Sequence, residues 1–352
     1  MWSRWLALII PRTVLQIFKH LNAVIVFIVN CVSMLSLPDF KEKKIIILSS
    51  YRGDANDLKF KNSNICLYKN GEFVSKISCH IAFCVFILGE CTLTTVLIKK
   101  LKEHGVSVFL LSNSFKKYAE LLSQAEGNYV LRGKQYALSD SEALELARMI
   151  VLNKIKNQYR LLKKVDKKPD KKYLNTILKK VRAIKTRSSL LGIEGNYSKY
   201  YFKKVFADYD WYRRAPRTKE DINNLLLDMG YTFLFNYIDS LLCLFGFDTY
   251  KGFYHQLFFQ RKSLCCDIEE AFRPLVDHQL IKAHNLGQIA KKDFKFHKGS
   301  FRIKDYKLQK KYTAIWFKMI MSNREGIYKY VSDFYRYFLD SSKYKKPEFK
   351  LC

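Results

Sequence analysis

Acidic residues are scarce in this 352-residue chain: 32 Asp and Glu face 62 Lys and Arg, a formal net charge of +30. Such an imbalance argues against a merely basic soluble protein. It favours a polyanionic partner, because cationic side chains release condensed counterions when they meet a phosphate backbone. Nucleic acid is the first candidate and an anionic membrane surface the second. Paired cysteine motifs are missing as well. The nine cysteines are odd in number and form no C-x-x-C pair, which excludes a disulfide scaffold. Cys79, Cys84 and Cys91 lie in or beside an apolar stretch, and adjacent Cys265 and Cys266 could not easily bridge each other, so a reducing, cytoplasmic compartment is expected. Internal repeats and extended low-complexity segments are absent too.

What remains is a chain with 49% hydrophobic residues, enough for a sizeable core, and long enough for two or three domains. Strand character opens it. KKIIILSS from Lys43 is a short β-branched run, and NICLYKNGEFVSKI predicts a hairpin turning at Asn70-Gly71, residues that accept the positive φ of a tight turn. CHIAFCVFIL predicts a buried strand, TLTTVLIKKLKEHG a short helix ending at Gly105, and VSVFLLS a further strand. Helical periodicity then takes over, with Ser139 or Ser141 as the N-cap of SDSEALELARMIVLNKIKNQYRLLKKV. The expected fold class is α+β: an apolar leader over 1–33, a small β-rich domain over 34–120 and a larger all-helical domain over 121–352.

Residues 154–187 hold 14 Lys and Arg and two acids, Asp166 and Asp170. Pro169 splits the run into two helices, a basic hairpin whose turn carries Lys163, Lys164, Lys167 and Lys168. Like charges at this density repel unless an anion relieves them, so this hairpin is a candidate nucleic-acid contact, with a solvated face as the alternative.

Three segments carry candidate chemistry: LLGIEGNYSKYYF with Glu194, GFDTYKGFYH with His255, and SLCCDIEEAFRPLVD with Asp267 and Glu270. On a helix, Asp267 and Glu270 share a face while Glu269 turns elsewhere. Carboxylates plus one imidazole suit Mg²⁺ or, with histidine present, Mn²⁺. Spacing alone is weak evidence for such a site and leaves a core histidine beside a solvated helix open.

The series GIEGNYSKYYF, RAPRTKEDINNLLLDMGY, GFDTYKGFYH and SLCCDIEEAFRPLVD, together with GNYVLRGKQY at 127–136, resembles the CRISPR-associated integrase family called Cas-one, from about Lys43 to the C-terminus. The resemblance implies a β-rich N-terminal domain joined to a helical C-terminal domain. It also implies a metal-dependent DNA integrase or endonuclease that joins 3′-hydroxyl ends of captured spacer DNA to the leader–repeat junction. By motif position the catalytic metal ligands fall on Glu194, His255 and Glu270, with Asp267 a supporting residue or further ligand. Tyr201, after the EG motif, is expected at DNA or in the core, and Arg214 and Arg217 are expected at DNA. Arg273 is expected to pair with a carboxylate. The implied partners are double-stranded DNA, a second copy of the chain docked through the β-rich domain, a Cas-two dimer and an end-trimming Cas-four-type nuclease. The source system resembles type V, with one large effector nuclease. Thr249, Ser198 and Cys265–Cys266 depart from the common family residues, and none of them removes a ligand. A transposon-borne relative and a non-catalytic DNA-binding scaffold are the alternative readings.

The first 33 residues have no family counterpart. Leu21–Leu37 is an uncharged run of 17 residues, short of the roughly 20 that a spanning helix needs. Met34 opens a segment that reads like the start of the β-rich domain, so residues 1–33 are expected to be a start-site extension rather than a membrane segment. A chain beginning at Met34 should be soluble, dimeric and fully active. Tryptic mapping of the native protein checks this: recovery of the Thr13–Lys19 peptide would overturn it.

Overall fold

The computed structural model describes residues 43–50, 55–123, 128–255 and 257–351, and the backbone of 27–30. Two sheets form the N-terminal part. The first has the order β1-β2-β6-β8-β9, built from β1 (Phe27–Asn30), β2 (Lys44–Ser49), β6 (Ala82–Leu88), β8 (Ser107–Leu111) and β9 (Lys117–Leu121). Its three central strands are parallel, and β1 and β9 close the edges antiparallel. The second has the order β5-β4-β3-β7, from β3 (Asn56–Lys61), β4 (Asn64–Lys69), β5 (Glu72–Ser78) and β7 (Thr92–Leu93). Asn70 and Gly71 take φ of 50° and 84° at the expected turn. The same device recurs at Asn62-Ser63, with φ of 49° and 56°, a hairpin that the sequence reading missed. Strand β1 lies within the apolar leader, where few contacts were expected, and pairs with β2 over four residues. The rest of 1–33, Met34 and most of the Leu21–Leu37 run lie outside the described residues. Among the described residues no helix is long and apolar enough to cross a membrane.

The central strands alternate between two cores. Ile46, Leu48, Val85, Ile87 and Val108 join the second sheet and helix α1 (Thr95–Glu103) in one apolar cluster. Ile45, Ile47, Cys84, Phe86, Leu88, Phe109 and Leu111 belong instead to the cluster of the helical part. A sheet buried on both faces reads as a continuous apolar run, as IIIL and CVFIL do. The β-rich and helical parts are therefore fused across a common wall. Phe115, after β8, stacks on Phe233 with ring centroids 4.3 Å apart.

The helices are α2 (Tyr129–Tyr136), α3 (Asp140–Lys164), α4 (Lys171–Ala183), α5 (Arg187–Val205), α6 (Ile222–Phe245), α7 (Ser263–Glu269), α8 (Arg273–Asn285) and α9 (Tyr306–Leu339), with a short hairpin of β10 (Phe294–His297) and β11 (Ser300–Ile303) before α9. Ser139 caps α3 in a reciprocal box with Glu142, an arrangement that satisfies two otherwise orphaned N–H groups. Helix α3 ends before Pro169 and Asp170 caps α4, which gives the expected basic hairpin. Helix α6 runs through the middle. At Gly230 a Cβ would stand 2.5 Å from Val276 and 2.8 Å from the Trp316 ring, so glycine permits the close crossing with α8 and α9. The α+β architecture is the one expected, and its helices bring the EG, histidine and FRP segments together.

Candidate metal centre

Glu194 projects from α5, where Ser198 one turn later donates a hydrogen bond to its Oε1 at 2.8 Å. Glu270 stands at the C-terminal end of α7, immediately before Pro274 and α8 fix the chain's new direction. His255 lies in the irregular segment between the left-handed cap of α6 at Gly246 and the start of α7. Asp267, which has no exposed surface, ties the second and third of these elements together. Asp267 Oδ2 accepts the backbone N–H groups of Phe253 (2.7 Å) and Tyr254 (3.0 Å), and Oδ1 accepts the N–H of His255 (2.9 Å). Oδ1 also lies 2.7 Å from His255 Nδ1. Because that oxygen is an acceptor, Nδ1 carries the proton, and in the neutral imidazole Nε2 keeps its lone pair. Nε2 points toward Glu270, 4.0 Å from Oε1. Gly252 makes the close approach possible, since a Cβ there would stand 2.7 Å from Asp267 Oδ2.

A cation already joins the two glutamates. Lys154, buried on α3, pairs through its ammonium with Glu194 Oε1 and lies 2.6 Å from Glu270 Oε2. Arg273 donates to Glu270 Oε1 at 2.9 Å. Burial would raise the Glu270 pKa, but the fields of Lys154, Arg273 and His255 outweigh it and hold the carboxyl down at about 2. Burial likewise would lower the Lys154 pKa, and Glu194 and Glu270 reverse the direction, so the group remains an ammonium. Neighbouring Glu269, expected to face elsewhere, is buried too, and desolvation pushes its pKa up to about 8.

The donor set of two carboxylates and an imidazole with a free Nε2 fits a divalent oxygen- and nitrogen-seeking ion. Glu270 Oε2 is buried and faces a cation, the Lys154 ammonium, at 2.6 Å. A second cluster, Glu120, Asp239 and Cys243, brings its ligand atoms within 4.8 Å of one another, closer than the Glu194–His255–Glu270 set among the described residues. As between Glu194 and Glu270, a lysine already meets its charge. The Lys117 ammonium lies among all three, and Lys262 reaches Asp239 at 2.7 Å. Burial also raises the Cys243 pKa, which disfavours the thiolate a metal would need. It is a lysine-centred knot between β9 and α6.

Three expected residues need revision or refinement. Tyr201 is not at a DNA surface: it is fully buried, and its hydroxyl donates to Asp277 at 2.7 Å, the core role that stood as its alternative. Arg214 is committed inward, donating to Asn224 (2.7 Å) and Asp228 (2.5 Å), whereas Arg217 is exposed. Asp267 has both oxygens occupied by the 253–255 segment, which places it behind His255 as a supporting residue. Lys163, Lys164 and Lys168 are exposed on the basic hairpin, and Lys167 pairs with Asp208. The sequence reading missed Lys154. Its only signal was a lysine on the apolar side of α3, among Val151, Ile155 and Gln158, in a segment read for its charge alone.

These features define the class: an α+β protein whose helical part carries an acid–histidine–acid centre behind a two-faced sheet. The chain belongs to the CRISPR associated protein Cas1 family, whose model matches residues 52–316. It is 31% identical over 249 residues to CRISPR-associated endonuclease Cas1 1 of Thermodesulfovibrio yellowstonii, covering 66% of this chain and 78% of that one. Among solved structures, the Cas1 chain of a partial Cas6-RT-Cas1–Cas2 complex is 25% identical with a TM-score of 0.67, covering 86% of this chain and 98% of that one. A casposase bound to its integration product has a TM-score of 0.67 at 21% identity, covering 87% and 92%, a likeness of fold.

Replacing Asp267 with Asn keeps the volume but removes the charge that orients three N–H groups and one imidazole. Such outer-shell partners are typically worth ~10–100-fold in metal affinity. Titration of Asp267→Asn with Mn²⁺ should show a loss of that order with DNA affinity unchanged. Wild-type Mn²⁺ affinity would leave Asp267 a purely structural residue.

Proposed function

We propose that this chain is a metal-dependent DNA integrase of CRISPR adaptation, joining the 3′-hydroxyl of a captured DNA to a phosphodiester at the leader–repeat junction by transesterification. The observation that carries the reading is the Lys154 ammonium bridging Glu194 and Glu270 while His255 Nε2 stands 4.0 Å from Glu270 Oε1, with Asp267 presetting the histidine's tautomer. Those three residues would hold Mg²⁺ or Mn²⁺, which when bound supplies electrostatic stabilisation of phosphoryl charge and a lowered pKa for the attacking hydroxyl. Asp267 keeps Nε2 of His255 available as a donor atom. Arg273 holds Glu270 ionised and is itself held over the Tyr231 ring at 4.3 Å, so the carboxylate faces the centre in one orientation.

Affinity for DNA is assigned to surfaces outside the centre. Arg217 and the exposed lysines of the α3–α4 turn offer phosphate contacts, which position a duplex without reading its sequence. The β-rich part would pair two copies of the chain, with a Cas2 dimer as the assembly partner and a Cas4-type nuclease trimming the donor; the solved relative in complex with Cas2 supports the first of these partners. A type V origin fits the sequence resemblance. The second reading, a transposon-borne integrase acting on transposon ends, is favoured by the likeness to the casposase and would use the same residues. A CRISPR array beside the gene supports the first reading, and flanking terminal inverted repeats the second.

Replacing Glu194, His255 or Glu270 singly with Ala should abolish strand transfer while leaving DNA binding largely intact. If Glu270→Ala integrates at the wild-type rate with Mn²⁺, Glu270 is not a ligand. Charge reversal of Lys163, Lys164, Lys167 and Lys168 should weaken DNA binding and reduce the log–log salt slope by about one for each phosphate no longer neutralised. An unchanged slope would return the turn to an ordinary solvated face.

A further inference from the structure

The position between the two catalytic acids is taken by an ammonium of the chain itself. Lys154 reaches it from α3, while Glu194 comes from α5 and Glu270 from the end of α7. The main chain beneath Lys154 is pinned on both sides. Asn157 Nδ2 donates to the carbonyl of Ala271 at 3.0 Å, next to Glu270. Asn153 and Asn157 together hold the C-terminal residues: Asn153 exchanges bonds with Phe349 at 2.7 and 3.0 Å, and Asn157 bonds Phe349 and Leu351 at 3.1 Å. The backbone is thereby fixed, and any change in the position of the ammonium must come from rotation of its four-carbon stem. Charge makes such a change necessary. Lys154 and Arg273 already pair with Glu194 and Glu270, so a divalent ion entering beside an unmoved ammonium would find both carboxylates engaged and meet a like charge at close range.

We infer that Lys154 is the exchangeable counter-ion of the catalytic acids: its ammonium holds Glu194 and Glu270 together without metal, and a divalent ion binds by displacing it. The inference rests on the reading of Glu194, His255 and Glu270 as metal ligands. Once displaced, the ammonium remains on its stem at the edge of the centre, where a phosphate oxygen can accept a hydrogen bond from it.

The test needs no DNA. Full-length protein is titrated with MnCl₂ by calorimetry, comparing wild type, Lys154→Met and Lys154→Gln. Both neutral variants should bind Mn²⁺ at least ~10-fold more tightly. They should also melt at lower temperature in EDTA and gain more on Mn²⁺ addition. Folded variants that bind Mn²⁺ with wild-type or weaker affinity would overturn the inference and make Lys154 a pure organiser of the acids. A second measurement uses wild type alone: acetylation of the Lys154 amine by acetic anhydride, read by peptide mass spectrometry, should quicken several-fold when Mn²⁺ is added. An unchanged or slower rate overturns the inference even if the variants fail to fold. Glu270→Ala separates the two levels. Binding that is lost there but unaltered in the Lys154 variants sinks the exchange alone, whereas no Mn²⁺ binding by wild type or by either neutral variant sinks the metal reading beneath it.

Discussion

Asp267 accepts three consecutive backbone N–H groups and one imidazole N–H on two fully buried oxygens. Three features of the centre depend on it. The segment 252–255 would otherwise carry unsatisfied buried donors, at about 1–3 kcal/mol each. The histidine would otherwise be free to take either tautomer. The entry of α7 would lose its tie to the loop that faces it, where Gly252 leaves no space for a side chain. One carboxylate therefore sets backbone, tautomer and element packing together, and the three cannot be altered independently.

Around that point the architecture removes freedom in larger units. The three central strands of the first sheet are wetted on neither face, because they alternate between the apolar cluster of the β-rich part and that of the helices. A sheet shared by two cores cannot slip in register without exposing one of them. The Lys117 knot adds a polar lock on the same seam. Lys117, with its side chain almost wholly enclosed, pairs with Asp239 of α6, and its backbone N–H donates to Asn236 at 2.9 Å. A buried charge of this kind adds little net stability over an apolar contact, but breaking one partner is costly, so it specifies alignment. The helix so aligned is the one whose C-terminus launches the His255 segment.

Much of this was legible in the sequence, and the limits have physical causes. The strands at 44–49 and 82–88 announced themselves as β-branched runs, Asn70-Gly71 as a turn, and Ser139 as a cap, because those signals are local. Glu194, His255 and Glu270 came from motif order in a resemblance; their spacing alone was weak evidence and left a core histidine open. Tyr201 and Arg214 were harder, since a tyrosine or arginine in a motif reads alike whether it faces DNA or a buried acid such as Asp277 or Asp228. Helical phase turned Glu269 away from the Asp267–Glu270 face, but Glu269 is the last residue of α7 and α8 sets off in a new direction. The shared wall and Lys154 were the least visible. Both depend on which distant elements meet, and a lysine among apolar residues looks like one more charge in a basic run until its two carboxylates arrive from helices 40 and 116 positions away.

The strong positive charge of the chain and the acidity of its centre are complementary. Lysines and arginines are spread over exposed helix faces, where repulsion is screened over about 10 Å in ordinary salt. The acids Glu194, Asp267, Glu269 and Glu270 are gathered inside, with Lys154 and Arg273 as their near cations. On the proposed reading such a centre would attract a divalent cation through local carboxylates while the surface would attract a polyanion. The two attractions act at different ranges and so need not compete. Lys154 belongs to both: without metal it is part of the acids' internal balance, and once released it adds to the positive surface facing a phosphate. That dual position explains why a lysine, with one compact charge on a flexible stem, suits the site better than an arginine, whose planar fork would lock both carboxylates in place.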